Sequence, residues 1–118
     1  MDIASHDTLP PFPQGVFIAK IDGSKTRTLR SFYPKIAKHL FFPDYFGHNL
    51  DALFDCLCSL EVVGSQDIIL LIDPIDQFLN REKPEKREAA LQVLQEAELS
   101  GNRSDGARFR VIGIKNTD

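Results

Sequence analysis

Asp51 and Asp55 stand four residues apart, with His48, Cys56 and Cys58 close by in the sequence. Three kinds of chemistry use such a set. A metal site needs donors that converge on one ion, and a Cys-x-Cys pair on a helix sends its two sulfurs in different directions. General acid–base catalysis needs two carboxylates in a concave pocket that shifts a pKa, whereas a helix beginning here carries Asp51 and Asp55 on a convex face. His6, His39 and His48 are the only histidines, and no Gly-rich phosphate loop is present. Neither a metal, nor a cofactor, nor an enzymatic activity is expected. The third chemistry is recognition, in which each carboxylate accepts charge-assisted hydrogen bonds from Arg, Lys or His of another molecule.

The element that must position these groups is a short helix fed by a loop. Pro43 and Gly47 punctuate the loop, and Asn49 is placed to cap the helix. Leu50, Leu53, Phe54 and Leu57 then recur at i, i+3, i+4 and i+7, giving one apolar stripe. Asp51 and Asp55 share a face roughly opposite Leu53 and Leu57, and Phe54 falls on the border between the two faces. The helix dipole favours Asp51 in the first turn but does little for Asp55, and the pair repels by a few tenths of a kcal/mol, so about 0.3 kcal/mol is given up locally. Between Lys38 and Arg81 there is no Lys or Arg, while Asp44, Asp51, Asp55, Glu61, Asp67, Asp73 and Asp76 all fall in that interval. The net charge of −3 therefore understates how acidic this segment is. Such a patch disfavours nucleic acid and favours a basic partner, although composition alone is equally met by a solvated helix face.

Pro43-Asp-Tyr-Phe-Gly-His-Asn-Leu-Asp-Ala-Leu-Phe-Asp-Cys-Leu57 resembles the signature of the barstar family, intracellular inhibitors of the secreted ribonuclease barnase. A second, weaker likeness lies at Val93-Leu94-Gln95-Glu96-Ala97, and the whole resemblance runs from about residue 15 to residue 114. It implies that Asp55 is the central mimic of an RNA phosphate and that Asp51 supports it from the preceding turn. Tyr45 would pack against the enzyme's catalytic histidine, and Gly47 and Asn49 beside it are expected among the partner-binding residues. Phe54 stands where the family often has Trp, keeping apolar contact without an indole donor. Glu96 would reach across from a neighbouring helix to a basic residue. Cys58-Ser59-Leu60 and Ser100 depart from the family's usual Thr-Gly-Trp and second acid, so the acidic anchor is kept while its rim, including Cys58, is altered.

The remaining chain is consistent with one domain of 118 residues. Residues 1–14, with Pro10, Pro11 and Pro13, read as an irregular N-terminal tail outside a domain spanning 15–118. No apolar run approaches a membrane span, and the N-terminus lacks the basic and apolar regions of a secretory signal. Two thiols without an export signal suggest the cytoplasm. Gly15–Asp22 reads as a buried parallel strand, Thr28 caps a helix running to about Leu40, and Ile75–Leu79 reads as a helical turn. Asp67–Asp73, five branched apolar residues between acids, reads as a central strand covered on both faces. Glu85–Ser100 is an amphipathic helix stopped by Gly101, residues 102–108 a polar loop, and Phe109–Ile114 the last strand.

Strands separated by helices predict an α/β fold, a small three-stranded parallel sheet with helices packed mainly on one side, as in the barstar family. The expected function is inhibition of a basic, extracellular-type ribonuclease or ribonuclease-like toxin, bound 1:1. The other reading is a non-inhibitory interaction domain on the same scaffold, holding some other basic protein.

Overall fold

The computed structural model describes residues 1–8, 12, 14–60, 67–100 and 108–115. Its elements in chain order are β1 (Asp2–Ala4), β2 (Val16–Asp22), a 3₁₀ turn (Gly23–Lys25), α1 (Leu29–His39), α2 (Leu50–Cys58), β3 (Asp67–Asp73), α3 (Pro84–Ser100) and β4 (Phe109–Ile114). The sheet is parallel throughout, in the order β1-β4-β3-β2.

The sheet has four strands where three were expected. The extra one, β1, comes from the segment read as an irregular tail: Asp2, Ile3 and Ala4 pair with Ile112, Gly113 and Ile114. A three-residue strand with two exposed side chains carries almost no periodicity, so only its pairing identifies it. β3 is central as expected, with Ile68 to Ile72 all buried between β4 and β2. β2 is parallel but not buried on both faces. It is an edge strand whose Ala19 and Ile21 face the core while Ile18 and Lys20 face solvent. Such half-burial is what an edge position permits even to an apolar sequence.

The helices lie on one face. Their core joins Phe32 and Ile36 of α1, Leu53 and Leu57 of α2, and Ala90, Leu94 and Ala97 of α3 to Ile21, Leu70 and Val111 of the sheet. Val93 of α3 is half-buried against it. On the opposite face Ile69, Leu71, Ile112 and Ile114 form a second cluster, against which Phe12 packs. The N-terminal segment thus contributes both a strand and part of the cover for this face.

Local signals explain where the helices begin and end. Thr28 Oγ1 accepts the Ser31 N–H at 3.2 Å, and Glu82 Oε2 accepts the Leu29 N–H at 2.7 Å, so two free donors at the start of α1 are satisfied. At its end the Phe42 N–H reaches Ala37 O at 2.9 Å, and Phe41 adopts φ +55°. This is a Schellman closure with Phe41 at the left-handed position where glycine is usual. Residues 75–81 form a run of turns rather than the expected helical turn. Main-chain and side-chain bonds from elsewhere hold that run: Leu79 N–H to Thr26 O at 3.0 Å, and Arg87 Nε and Nη2 to Phe78 O and Ile75 O at 2.9 and 3.0 Å. The expected Gly101 cap and most of the 102–108 loop lie outside the described residues.

Candidate interaction site on the acidic helix

α2 is fixed to the molecule by its apolar side and capped by its own loop. Leu53 and Leu57 are fully buried, and Phe54 is half-buried against the same core. Asn49 Oδ1 accepts the Ala52 N–H at 2.8 Å, while its Nδ2 donates to Gly47 O at 3.1 Å. One side chain therefore caps the helix and ties down the approach to it. A Cβ on Gly47 would sit 3.1 Å from that same Nδ2, so a larger residue would press on the cap.

An aromatic cluster holds the loop before α2. Phe46 is buried and meets Tyr33 edge-on at 5.8 Å, Phe42 edge-on at 5.1 Å and the His48 ring at 5.1 Å. Its N–H also closes a turn on Pro43 O at 3.0 Å. Phe46 inward forces its neighbour Tyr45 outward, where it is 87% exposed. His48 takes a left-handed backbone conformation, φ +49°, just before the cap. Periodicity and charge in the sequence do not mark Phe46 and His48 as positioning residues. The available signal was the density of aromatics at 41, 42, 45 and 46, of which only some can point inward.

The outer face of α2 presents Asp51 and Asp55, both exposed. Among the described residues neither receives a hydrogen bond or an ion pair. This differs from Asp22, which accepts from both the Ser24 hydroxyl and backbone N–H and is held below the usual carboxylate range mainly by that hydroxyl. It also differs from Asp73, whose Oδ2 lies 3.2 Å from His6 Nε2. With no cation paired to them among the described residues, the Asp51 and Asp55 charges are directed at solvent.

Tyr45 and Asp55 line a common groove of about 440 Å³ with Leu40, Phe41, Phe42, Pro43 and the end of α2. The cysteine in its wall is Cys56 rather than Cys58. Both thiols are half-buried, and burial first, then the Asp55 charge, pushes each above its ordinary pKa. That keeps them protonated and makes them poor nucleophiles and poor metal ligands at neutral pH. No group of three potential metal-ligating side chains occurs among the described residues. Glu96 is exposed on α3, the helix packed beside α2, and is contacted by Gln92 Nε2 at 3.2 Å. No hydrogen bond among the described residues joins it to α2. No helix among those residues is long and apolar enough to cross a membrane.

An anchored helix whose acidic face is unpaired among the described residues, flanked by an exposed tyrosine, is suited to binding a basic surface. Comparison with known proteins agrees with the motif. The family model described as Barstar (barnase inhibitor) matches residues 16–112, which takes in β2, β3, all three helices and the first four residues of β4. A Bacillus subtilis (strain 168) protein named "Putative ribonuclease inhibitor YrdF" is 35% identical over 79 residues, covering 66% of this chain and 81% of that protein. With a family match across most of its length and a relative at that identity, the chain belongs to the barstar family.

Proposed function

We propose that this protein inhibits a basic ribonuclease of the barnase type by laying α2 into the enzyme's RNA groove, one inhibitor per enzyme. Asp55 takes the place of a phosphate, accepting charge-assisted bonds from the cations that would hold RNA, and Asp51 adds a second charge one turn away. Tyr45 packs on the enzyme's catalytic histidine, with Gly47 and Asn49 holding its loop. Phe54 and Cys58 border the contact, and Glu96 meets a basic residue at its far edge. The observation that carries the reading is the pair of exposed carboxylates on a rigidly anchored helix, without a cation of their own among the described residues. Family membership supports the same reading. An acidic face of this kind also speeds encounter with a basic partner, an effect that salt weakens.

Barnase is a suitable probe. Titration of its RNA-cleaving activity with this protein is expected to reach full inhibition at one equivalent, with an association rate that falls as ionic strength rises. A complex in which barnase still cleaves RNA would favour a non-inhibitory interaction domain. Absence of both binding and inhibition would overturn the proposal for barnase-type enzymes.

A further inference from the structure

Phe41 is a residue that the fold itself does not explain. It occupies the left-handed closing position of α1 at φ +55°, where a side chain is disfavoured and glycine is usual. It is also 68% exposed, so core packing does not account for a phenylalanine there. One neighbour, Phe17 of β2, approaches it at 6.4 Å in a tilted arrangement, which supports the ring without covering it. Backbone strain at an exposed aromatic is the pattern of a residue kept for something outside the free molecule.

Its position says what that is. Phe41 lines the same groove as Tyr45 and Asp55. Among the described residues the groove therefore combines aromatic and apolar walls, from Phe41, Phe42, Pro43 and Leu60, with the Asp55 carboxylate. A side chain with a long aliphatic stem and a cationic head fits both features, the stem lying on the rings and the head pairing with the acid.

We propose that Phe41 is a specificity-determining contact: it extends the inhibitory interface beyond α2 by packing against the stem of a basic side chain of the ribonuclease whose head engages Asp55. The inference rests on the inhibitory reading of α2, and barnase again serves as the probe. Phe41→Gly removes the ring and relieves the backbone. Its denaturation midpoint is expected to be unchanged or raised, while its dissociation from barnase becomes about tenfold faster, as for loss of an aromatic contact at an interface. The salt dependence of association should match that of the unaltered protein, because no charge is removed. Phe41→Tyr is expected to restore slow dissociation.

Failure of this inference and failure of the inhibitory reading give different results. Unaltered protein that neither binds nor inhibits barnase overturns both. Full inhibition by both the unaltered protein and Phe41→Gly, with equal dissociation rates, overturns this inference alone. A lowered denaturation midpoint in Phe41→Gly with unchanged dissociation would assign Phe41 a purely structural role.

Discussion

Replacing Asp55 by alanine is expected to move stability and binding in opposite directions. In the free protein Asp55 is exposed, sits past the first turn of α2, and receives no bond among the described residues. Its main local interaction is repulsion from Asp51 at i−4, so removing it should stabilise the helix by about 0.3 kcal/mol. Alanine also has the higher helix propensity, worth up to about 0.7 kcal/mol more. The unfolding free energy from urea denaturation should therefore rise slightly or stay unchanged. In the proposed complex the same carboxylate would be desolvated against cations, and its loss would leave those cations buried and unpaired, at a cost of about 2–5 kcal/mol. That range is typical of close charge pairs buried at interfaces, the barnase–barstar pair among them. It corresponds to a rise in Kd from roughly 30-fold to several thousand-fold. Inhibition titrations against barnase and urea curves on the same preparations provide both readings. A fall in stability above about 1 kcal/mol would show that Asp55 is a structural residue, contrary to its exposure. A Kd change below about fivefold would refute the idea that this carboxylate anchors the complex.

Four other expectations follow from individual contacts. Asn49→Ala loses the cap on Ala52 and the tie to Gly47, so it should cost about 1 kcal/mol in urea denaturation, and Asn49→Asp should recover most of it because an acid also caps; equal stability of all three proteins would contradict the cap. A methyl on Gly23 would lie 1.9 Å from Pro74 O, a backbone atom, so Gly23→Ala should destabilise by about 3 kcal/mol, and a shift under about 1 kcal/mol would mean that the approach is looser than described. Cys56 and Cys58 have folded-state pKa values raised by burial and by the Asp55 charge, so the stability they contribute is complete below the unfolded thiol pKa and is lost as pH rises through the folded values; denaturation midpoints should decline above about pH 9, and less steeply in the Cys56→Ser, Cys58→Ser double variant. In Asp55→Asn one cause of the upward shift is gone, and both thiols should react faster with a thiol reagent near pH 8.

The acidic helix was legible because three independent signals agree on it: a capping residue at 49, apolar residues at helical spacing, and acids confined to the other side. β3 was legible because five consecutive branched apolar residues in a chain of this size can be satisfied only between two other strands. What could not be read was whatever depends on distant pairing. β1 exists through its register with β4, more than a hundred residues away in sequence. The edge position of β2 follows from strand order, to which an apolar strand gives no clue. The turns after Ile75 are held by carbonyl contacts to Arg87, on the following helix. In the site itself the charges were visible, but the ring that orders the loop, Phe46, looks in sequence like its outward-facing neighbour Tyr45. Phe41 was hidden for a related reason, since nothing in a Leu-Phe-Phe-Pro stretch marks which phenylalanine closes the helix with a left-handed backbone.

β1 has a practical bearing on anyone who trims this protein. The family match begins at residue 16 and ends at 112, so a version cut to those limits would omit Asp2–Ala4, Phe12 and the last two residues of β4. What remained of β4, which meets β1 only at Ile112, would then be an outer strand along its whole length, and Ile69, Leu71 and Ile112 behind it would lose their Phe12 lid. A raw border of that kind invites a second molecule to zip onto it, so the shortened protein would precipitate or pair with itself while its acidic face stayed intact.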